Sequence, residues 1–352
     1  MKKVASILVA LALVLGLLGA PVLAVEEETV DTQAMVGGSG SPPFICAKFE
    51  TPDDDVIAGT QILPIPEGMK TVKFYVIVGD PNGVDDIASV DVTVRYDDGT
   101  EKFQLRAIRG TWTMIPWTGM IDMDGDCTGD TPIPDALAAL EAQGRIAYGP
   151  GQDLGLVLHD LENGKQLLIE LVGEMHYHQP SMDYTVEALA TDAGGETSLP
   201  LVNTFFYMSI VALKIDFTMI DWQTVNISQW NYVLGDENMT TPARPTVQNV
   251  GNDPAKIQLL ASPLVGVLHG KTIEEFDAEM DYKDPVTGAI VQEGRIEFMA
   301  GAPTVITELA DPTIPVLLPP CTPTQIDFSV HPPYGTIEDT YQGTMTITIL
   351  HY

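Results

Sequence analysis

From Ile87 to Tyr96 apolar and polar residues alternate: Val90, Val92 and Val94 share one face, Asp91, Thr93 and Arg95 the other. A period of two is the mark of a half-buried antiparallel strand. Asp97-Asp98-Gly99 supplies turn chemistry, and Glu101 to Ile108 returns as the second arm of a hairpin. Upstream, Thr71 to Val78 is a β-branched and aromatic run that ends in Asp80-Pro81-Asn82-Gly83. Downstream, strands are predicted at Gln166–Glu174, Met182–Thr191 and Thr204–Val211, with a turn at Asp192-Ala193-Gly194-Gly195. Between these sets the texture changes. Residues 110–165 hold a Trp/Met/Pro stretch, an Asp-rich loop and the segment Asp135–Gln143, which reads as a helix ended by Gly144. The stretch 151–165 reads as loop or short helix.

Beyond Ala212 short strand-like runs recur between Pro, Gly and Asp turns. They are Leu213–Met219, Thr224–Ile227, Thr246–Gln248, Ile257–Ala261, Thr272–Tyr282, Gly294–Phe298, Ile326–Val330 and Gly343–Leu350. Many of the 26 prolines fall between them, where a missing N–H costs no ladder bond. No fixed short repeat marks a solenoid or propeller. The reading is all-β: two immunoglobulin-like β-sandwich modules, 44–212 and 213–352, the first with a helix-containing insertion at about 110–165.

The N-terminus is a different kind of sequence. Lys2 and Lys3 precede an apolar run from Val4 to Leu18, and Ala20-Pro21-Val22-Leu23-Ala24 offers small residues for cleavage. Residues 1–24 therefore read as a secretory signal peptide, with a retained membrane anchor as the alternative. Residues 25–43 are acidic and then Gly/Ser/Pro-rich, a flexible linker or a donor strand for a neighbouring subunit. No second apolar run reaches the roughly 18 residues that a membrane helix needs. The expected location is secreted, extracellular or at the cell surface.

The 352-residue chain carries 17 basic and 49 acidic residues, a net charge of −32. Loss of the leader removes two lysines and takes it to −34. Such a surface repels nucleic acid and anionic membranes and favours cations. Three cysteines are too few for a disulfide scaffold. One bridge is expected, Cys46 with Cys127, leaving Cys321 over.

FYVIVGDPNGVDDIASVDVTV and, far downstream, YTVEALATDAGGETS resemble immunoglobulin-like and cadherin-like modules of secreted surface proteins. PTVQNVGNDPAKIQL and the closing PPYGTIEDTYQGTMTITI are similar to β-sandwich modules of archaeal cell-surface and filament proteins. The match covers about a third of the chain, and its motifs specify turns and strands rather than chemistry. It implies a cell-envelope protein of the surface-layer or extracellular-filament kind. The 110–165 insertion departs from a minimal module.

Candidate chemistry is concentrated in Asp122-Met123-Asp124-Gly125-Asp126-Cys127-Thr128-Gly129-Asp130. Asp122, Asp124, Asp126, the Thr128 carbonyl and Asp130 occupy relative positions 1, 3, 5, 7 and 9, the spacing with which a loop wraps a hard cation such as Ca²⁺. The closing Glu of such loops is missing, since Ile133 stands there. A solvated acidic turn is the competing interpretation. A second acidic set, Asp53, Asp54 and Asp55 with Asp80, Asp85 and Asp86, reads first as turn chemistry and second as calcium ligands. His176 and His178 would share one strand face. Trp112, Trp117, Trp222, Trp230 and Tyr232 are packing residues or sugar-stacking platforms. Asn226-Ile227-Ser228 and Asn238-Met239-Thr240 are N-glycosylation sequons.

No G-x-S-x-G, H-E-x-x-H or phosphate loop is present, and the expectation is a non-enzyme. The function read from the chain is a cell-envelope structural subunit stabilised by calcium, self-associating or joined to other surface proteins. The alternative is an adhesin or a carbohydrate- or peptide-binding module. A carboxylate-based hydrolase ranks last.

Overall fold

The computed structural model describes residues 40–126, 128–284 and 286–352. The expected leader, most of the linker and Cys127 lie outside the described residues. In the first half the elements run β1 (Phe44–Thr51), β2 (Thr60–Ile62), β3 (Met69–Gly79), β4 (Ile87–Arg95), β5 (Glu101–Ile108), β6 (Thr113–Ile115), β7 (Met120–Ile121) and β8 (Thr131–Pro132). Then come α1 (Ile133–Ala142), β9 (Ala147–Tyr148), α2 (Leu154–Glu162), β10 (Gln166–His176), β11 (Met182–Asp192) and β12 (Leu201–Tyr207).

Two five-stranded sheets face each other. One is ordered β6-β10-β3-β1-β9, the other β2-β12-β11-β4-β5, and the pairing is antiparallel except for β2 with β12. The core between them includes Val72, Phe74, Val76 and Val78 of β3 and Val90, Val92 and Val94 of β4, with Tyr184 and Val186 of β11 and Phe205 of β12. The alternation is real from Ser89 to Val94, where the valines face the core and Ser89, Asp91 and Thr93 point the other way yet are themselves buried; Ile87, next to a register shift, joins the core from an odd position.

Strand β3 has no such alternation, and the third layer explains why. Tyr75 and Ile77 point away from the sandwich into a second cluster with Phe49, Leu168, the α1 residues Ile133, Ala136, Leu137 and Leu140, and Val157 and Leu161 of α2. A strand covered on both faces reads as a continuous apolar run. The insertion is thus a helical cover for the outer face of one sheet. In α1 the buried positions recur at i, i+3, i+4 and i+7, Pro134 sits in the first turn, and Gly144 closes the end at φ 67°. The segment 151–165 resolves in favour of a helix, α2, whose N-cap Asp153 accepts a hydrogen bond from the Leu156 N–H at 2.8 Å.

The second half has shorter strands. Leu213–Ile215, Thr246–Asn249 and Pro323–Gln325 form one sheet, and Asn231–Val233, Asp327–His331, Glu275–Glu279 and Arg295–Met299 another. Ala255–Ala261 pairs with Met345–His351 along its length and meets Thr304–Val305 and Leu317–Leu318 at its other edge. Phe217, Val247, Ile257, Leu259, Phe276, Phe328 and Val330 fill the core. The strand expected at Thr224–Ile227 does not form; that segment turns, and Asn231–Val233 pairs instead. The Asn231 side chain stabilises the turn by accepting from the Asn226 N–H at 2.7 Å and donating to the Asn226 carbonyl at 3.0 Å.

Ser39–Tyr352 cluster as one compact unit, although the two halves keep separate cores. Asn252 joins them. Its Nδ2 donates to the carbonyls of Gln179 (3.1 Å) and Met208 (2.8 Å), and its Oδ1 accepts from the Ile210 N–H (2.7 Å). Asn252 is only 5% exposed, so these bonds are made out of water. In the adjoining Gly251 an added Cβ would lie 2.1 Å from the Ile210 carbonyl oxygen. The Asn249-Val250-Gly251-Asn252 motif is therefore a joint between the halves.

Candidate functional site

Asp122, Asp124 and Asp126 do converge: one carboxylate oxygen from each lies within 4.8 Å of the others. Asp130 is not part of that group. Its carboxylate instead accepts from the Thr131 hydroxyl at 2.9 Å. Much of the loop's charge already has partners. The buried Asp122 carboxylate meets the Lys73 ammonium at 2.7 Å and accepts from the Gly125 N–H at 2.7 Å. Asp124 accepts from the Asp126 N–H, and Asp126 accepts from the N–H and hydroxyl of Thr128. A cation arriving here would share Asp122 with Lys73.

A second group is assembled by the fold. Asp80 follows β3 in one sheet. Asp86 ends the 3-10 turn Val84–Asp86 before β4, and Asp192 ends β11, both in the other sheet. One oxygen of each lies within 4.8 Å of the others. One oxygen of Asp80 accepts from the Asn82 N–H (2.6 Å), and one of Asp192 from the Glu196 N–H (2.7 Å). The second oxygens, Oδ2 of Asp80 and Oδ2 of Asp192, are buried without a hydrogen-bond partner, on side chains 7% and 2% exposed. Among the described residues none of the three carboxylates forms an ion pair. Burial, with Asp86 and Asp192 nearby, pushes the Asp80 carboxyl above its usual range.

The rest of the second acidic set divides up. Asp53 pairs with buried Arg145 at 3.3 Å, Asp54 with Lys70 at 3.0 Å and Asp85 with Arg109, while Asp55 caps the Val56 N–H. Asp80 and Asp86 remain, and Asp192, more than a hundred residues further along the chain, completes the trio. The sequence shows Asp192 only as part of a glycine turn; its distance along the chain hides the association.

His176 and His178 do not lie on one strand face, because β10 ends at His176 and the chain turns. Their rings still meet, tilted, with centroids 4.0 Å apart, and burial with the neighbouring His176 and Lys102 lowers the His178 imidazole below its ordinary value. No other ligating side chain groups with them among the described residues. Trp112 packs on the sandwich core and Trp117 on the helical layer, so they do not form a joint platform. Trp230 packs against His331 in a tilted pair, ring centroids 5.1 Å apart. Trp222 lines an open apolar cleft of about 330 Å³ with Phe217, Met219, Leu264, Phe276 and Met345, and its buried indole N–H has no partner. Asn226 and Asn238 are both exposed. Cys46 is a free, buried thiol held above its usual value by burial, and Cys127, its expected bridge partner, lies outside the described residues.

One buried polar group escaped the sequence reading. Lys48 and Glu50 of β1, each 1% exposed, point into the first sandwich and meet Asn203 of β12. In the sequence they are two charges at alternate positions of an apolar strand, ICAKFET; that spacing is the signal that both share one face.

No family model and no curated relative matches the chain. Several solved structures are similar to it over most of its length. One is the C-terminal domain of the antigen I/II-family protein AspA of Streptococcus pyogenes, at 13% identity over 88% of this chain and 95% of that one, with a TM-score of 0.24. A structure of carbohydrate-binding modules from the β-sandwich superfamily is 12% identical over 88% and 96%, with a TM-score of 0.21. BcpA, the major pilin subunit of Bacillus cereus, is 10% identical over 78% and 68%, with a TM-score of 0.22. At these identities and scores the likeness carries no argument about role; the β-sandwich assignment rests on the sheet pairing itself.

Proposed function

We propose that the chain is an exported cell-surface protein with a structural or adhesive role, in which two β-sandwich halves act as one stiff body. The joint at Asn252 carries this reading. A buried amide that spends all its bonds on the far half holds the two cores in one orientation, as a scaffold requires and a flexible string of modules does not. The apolar leader-like N-terminus and the high negative charge support an exterior location. Fractionation of the source cells, with negative-stain imaging of the purified protein, tests it. Protein in the surface or secreted fraction that forms filaments, sheets or cell-bound layers is expected. Protein confined to the cytosol overturns the reading.

Calcium belongs to the proposal as a clamp rather than a signal. Of the two carboxylate groups, Asp80/Asp86/Asp192 is the better receptor, because two of its oxygens are buried with no counter-charge, whereas Asp122 already holds Lys73. A cation there would tie the two sheets at one end of the sandwich. Glycans on Asn226 and Asn238 are part of the same proposal, both side chains being exposed.

Ligand binding is the second reading, and the Trp222 cleft favours it: a concavity walled by Trp222, Phe217 and Phe276 with Thr218 and Thr344 suits a small glycan or peptide side chain. Glycan or peptide-array binding that Trp222→Ala abolishes would support it, and equal binding by that variant would remove the cleft.

A further inference from the structure

We propose that Lys48 and Asn203 become joined by a side-chain amide bond, formed within the folded protein and promoted by Glu50. The geometry is that of an intramolecular acyl transfer. The Lys48 ammonium nitrogen contacts Oδ1 of Asn203, and Glu50 Oε1 lies 3.0 Å from that same nitrogen. Asn203 Nδ2 donates to Glu50 Oε2 at 2.6 Å. One carboxyl group therefore touches both the attacking nitrogen and the nitrogen that would leave. That is the position of a general acid–base catalyst. The amide carbon bears both the oxygen that Lys48 touches and the nitrogen that Glu50 touches, on strands rather than loops, so proximity supplies much of the barrier reduction.

Burial tilts the chemistry further. Both Lys48 and Glu50 are almost wholly out of water. Desolvation lowers the Lys48 amine, against the opposing pull of Glu50 and Glu187, and favours the neutral nucleophile. The step balances without any other reactant. The Lys48 lone pair forms the Nζ–Cγ bond, and the Cγ–Nδ2 bond of Asn203 breaks. Glu50 takes a proton from Nζ and passes it to the departing nitrogen, ending as it began. Ammonia leaves, and nothing is oxidised or reduced.

The placement gives the bond a mechanical sense. β1 is the first strand of the first sandwich and β12 the last, and they lie in opposite sheets. Lys48 and Asn203 are 155 residues apart in the chain. A tension applied through Phe44 and Tyr207 would load these two strands, and a covalent link between them would carry it past the intervening fold. This role rests on the structural reading above, but the bond itself does not, and it is tested separately.

Intact-protein mass spectrometry of the full chain, followed by peptide mapping, decides the matter. The wild type should be lighter than its mature sequence by one ammonia, about 17 Da, and digestion should yield a branched peptide joining Lys48 to Asn203. Lys48→Arg and Glu50→Gln should both show the full encoded mass. Asn203→Asp should form the same bond by losing water and give the wild-type product mass. Wild-type protein at full mass, with the two peptides separate, overturns the proposal even if the variants fail to fold. Mass loss that persists in Lys48→Arg overturns it equally.

Discussion

At the residue scale the informative atoms are charges that the fold has taken out of water. Asp80 and Asp192 each keep a buried oxygen without a partner, and a like charge sits beside them in Asp86. Such a site costs stability when empty and returns it when a cation arrives. Calcium at a hundredfold excess over its dissociation constant should raise the melting temperature by about 4 °C. Asp80→Asn or Asp192→Asn should remove that rise, whereas Asp124→Asn/Asp126→Asn should keep it; calorimetry with calcium or EDTA reads both. The same carboxyl predicts a pH response. Because folding raises the Asp80 value, the folded state binds the proton more tightly. The metal-free protein should therefore gain stability from this group as pH falls through the raised folded value, completing the gain below the ordinary value of about 3.9. The difference between wild type and Asp80→Asn across a denaturation series in EDTA isolates it, and no difference would show that the group titrates normally.

The scale of elements concerns the helical layer and the loop beside it. Leu137 is fully buried between α1 and the outer face of the β3 sheet. Leu137→Ala should cost about 2–5 kcal/mol by transfer and cavity terms together. Hydrogen exchange should rise first in α1 and α2, with β4 and β11 protected; uniform loss of protection would mean that the layer is not a separate unit. The Asp122 loop hangs from this layer, between β7 and β8. If a cation orders it, EDTA should speed proteolysis within residues 110–150, and identical digestion with and without EDTA would assign the loop to Lys73 and its own turns. Most of these elements were legible beforehand. The alternation along β4, the β5 return and α1 match, because each is a local pattern, although β4 buries its polar face as well, at Ser89, Asp91 and Thr93. His176 and His178 were misplaced because strand length, unlike strand type, depends on where the partner strand ends.

Taken whole, the protein is two cores fixed by a polar joint. Asn252→Ala would remove three bonds to the first half and leave the buried Gln179 carbonyl without its partner, at about 1–3 kcal/mol for that group. Urea unfolding should then separate into two transitions, where the wild type unfolds in one. A covalent Lys48–Asn203 link would act at the same scale. In the chain-entropy account, closing a loop of that length stabilises the fold by about 5 kcal/mol, so Lys48→Arg should unfold at clearly lower denaturant than the linked wild type.

Local order was written in the sequence: the β class, the hairpins, the Ala/Leu helix, the turn chemistry of the Asp-rich segments and the excess of acid. Those features depend on neighbours within a few residues, and period, propensity and charge report them directly. The tertiary structure alone decided which charges meet. Asp192 joins Asp80 and Asp86 only because β11 and β3 end at the same edge of the sandwich. Lys48, Glu50 and Asn203 meet only because the first and last strands face each other across it. Contacts between sheets are set by register and packing over more than a hundred residues, and no short pattern along the chain encodes them.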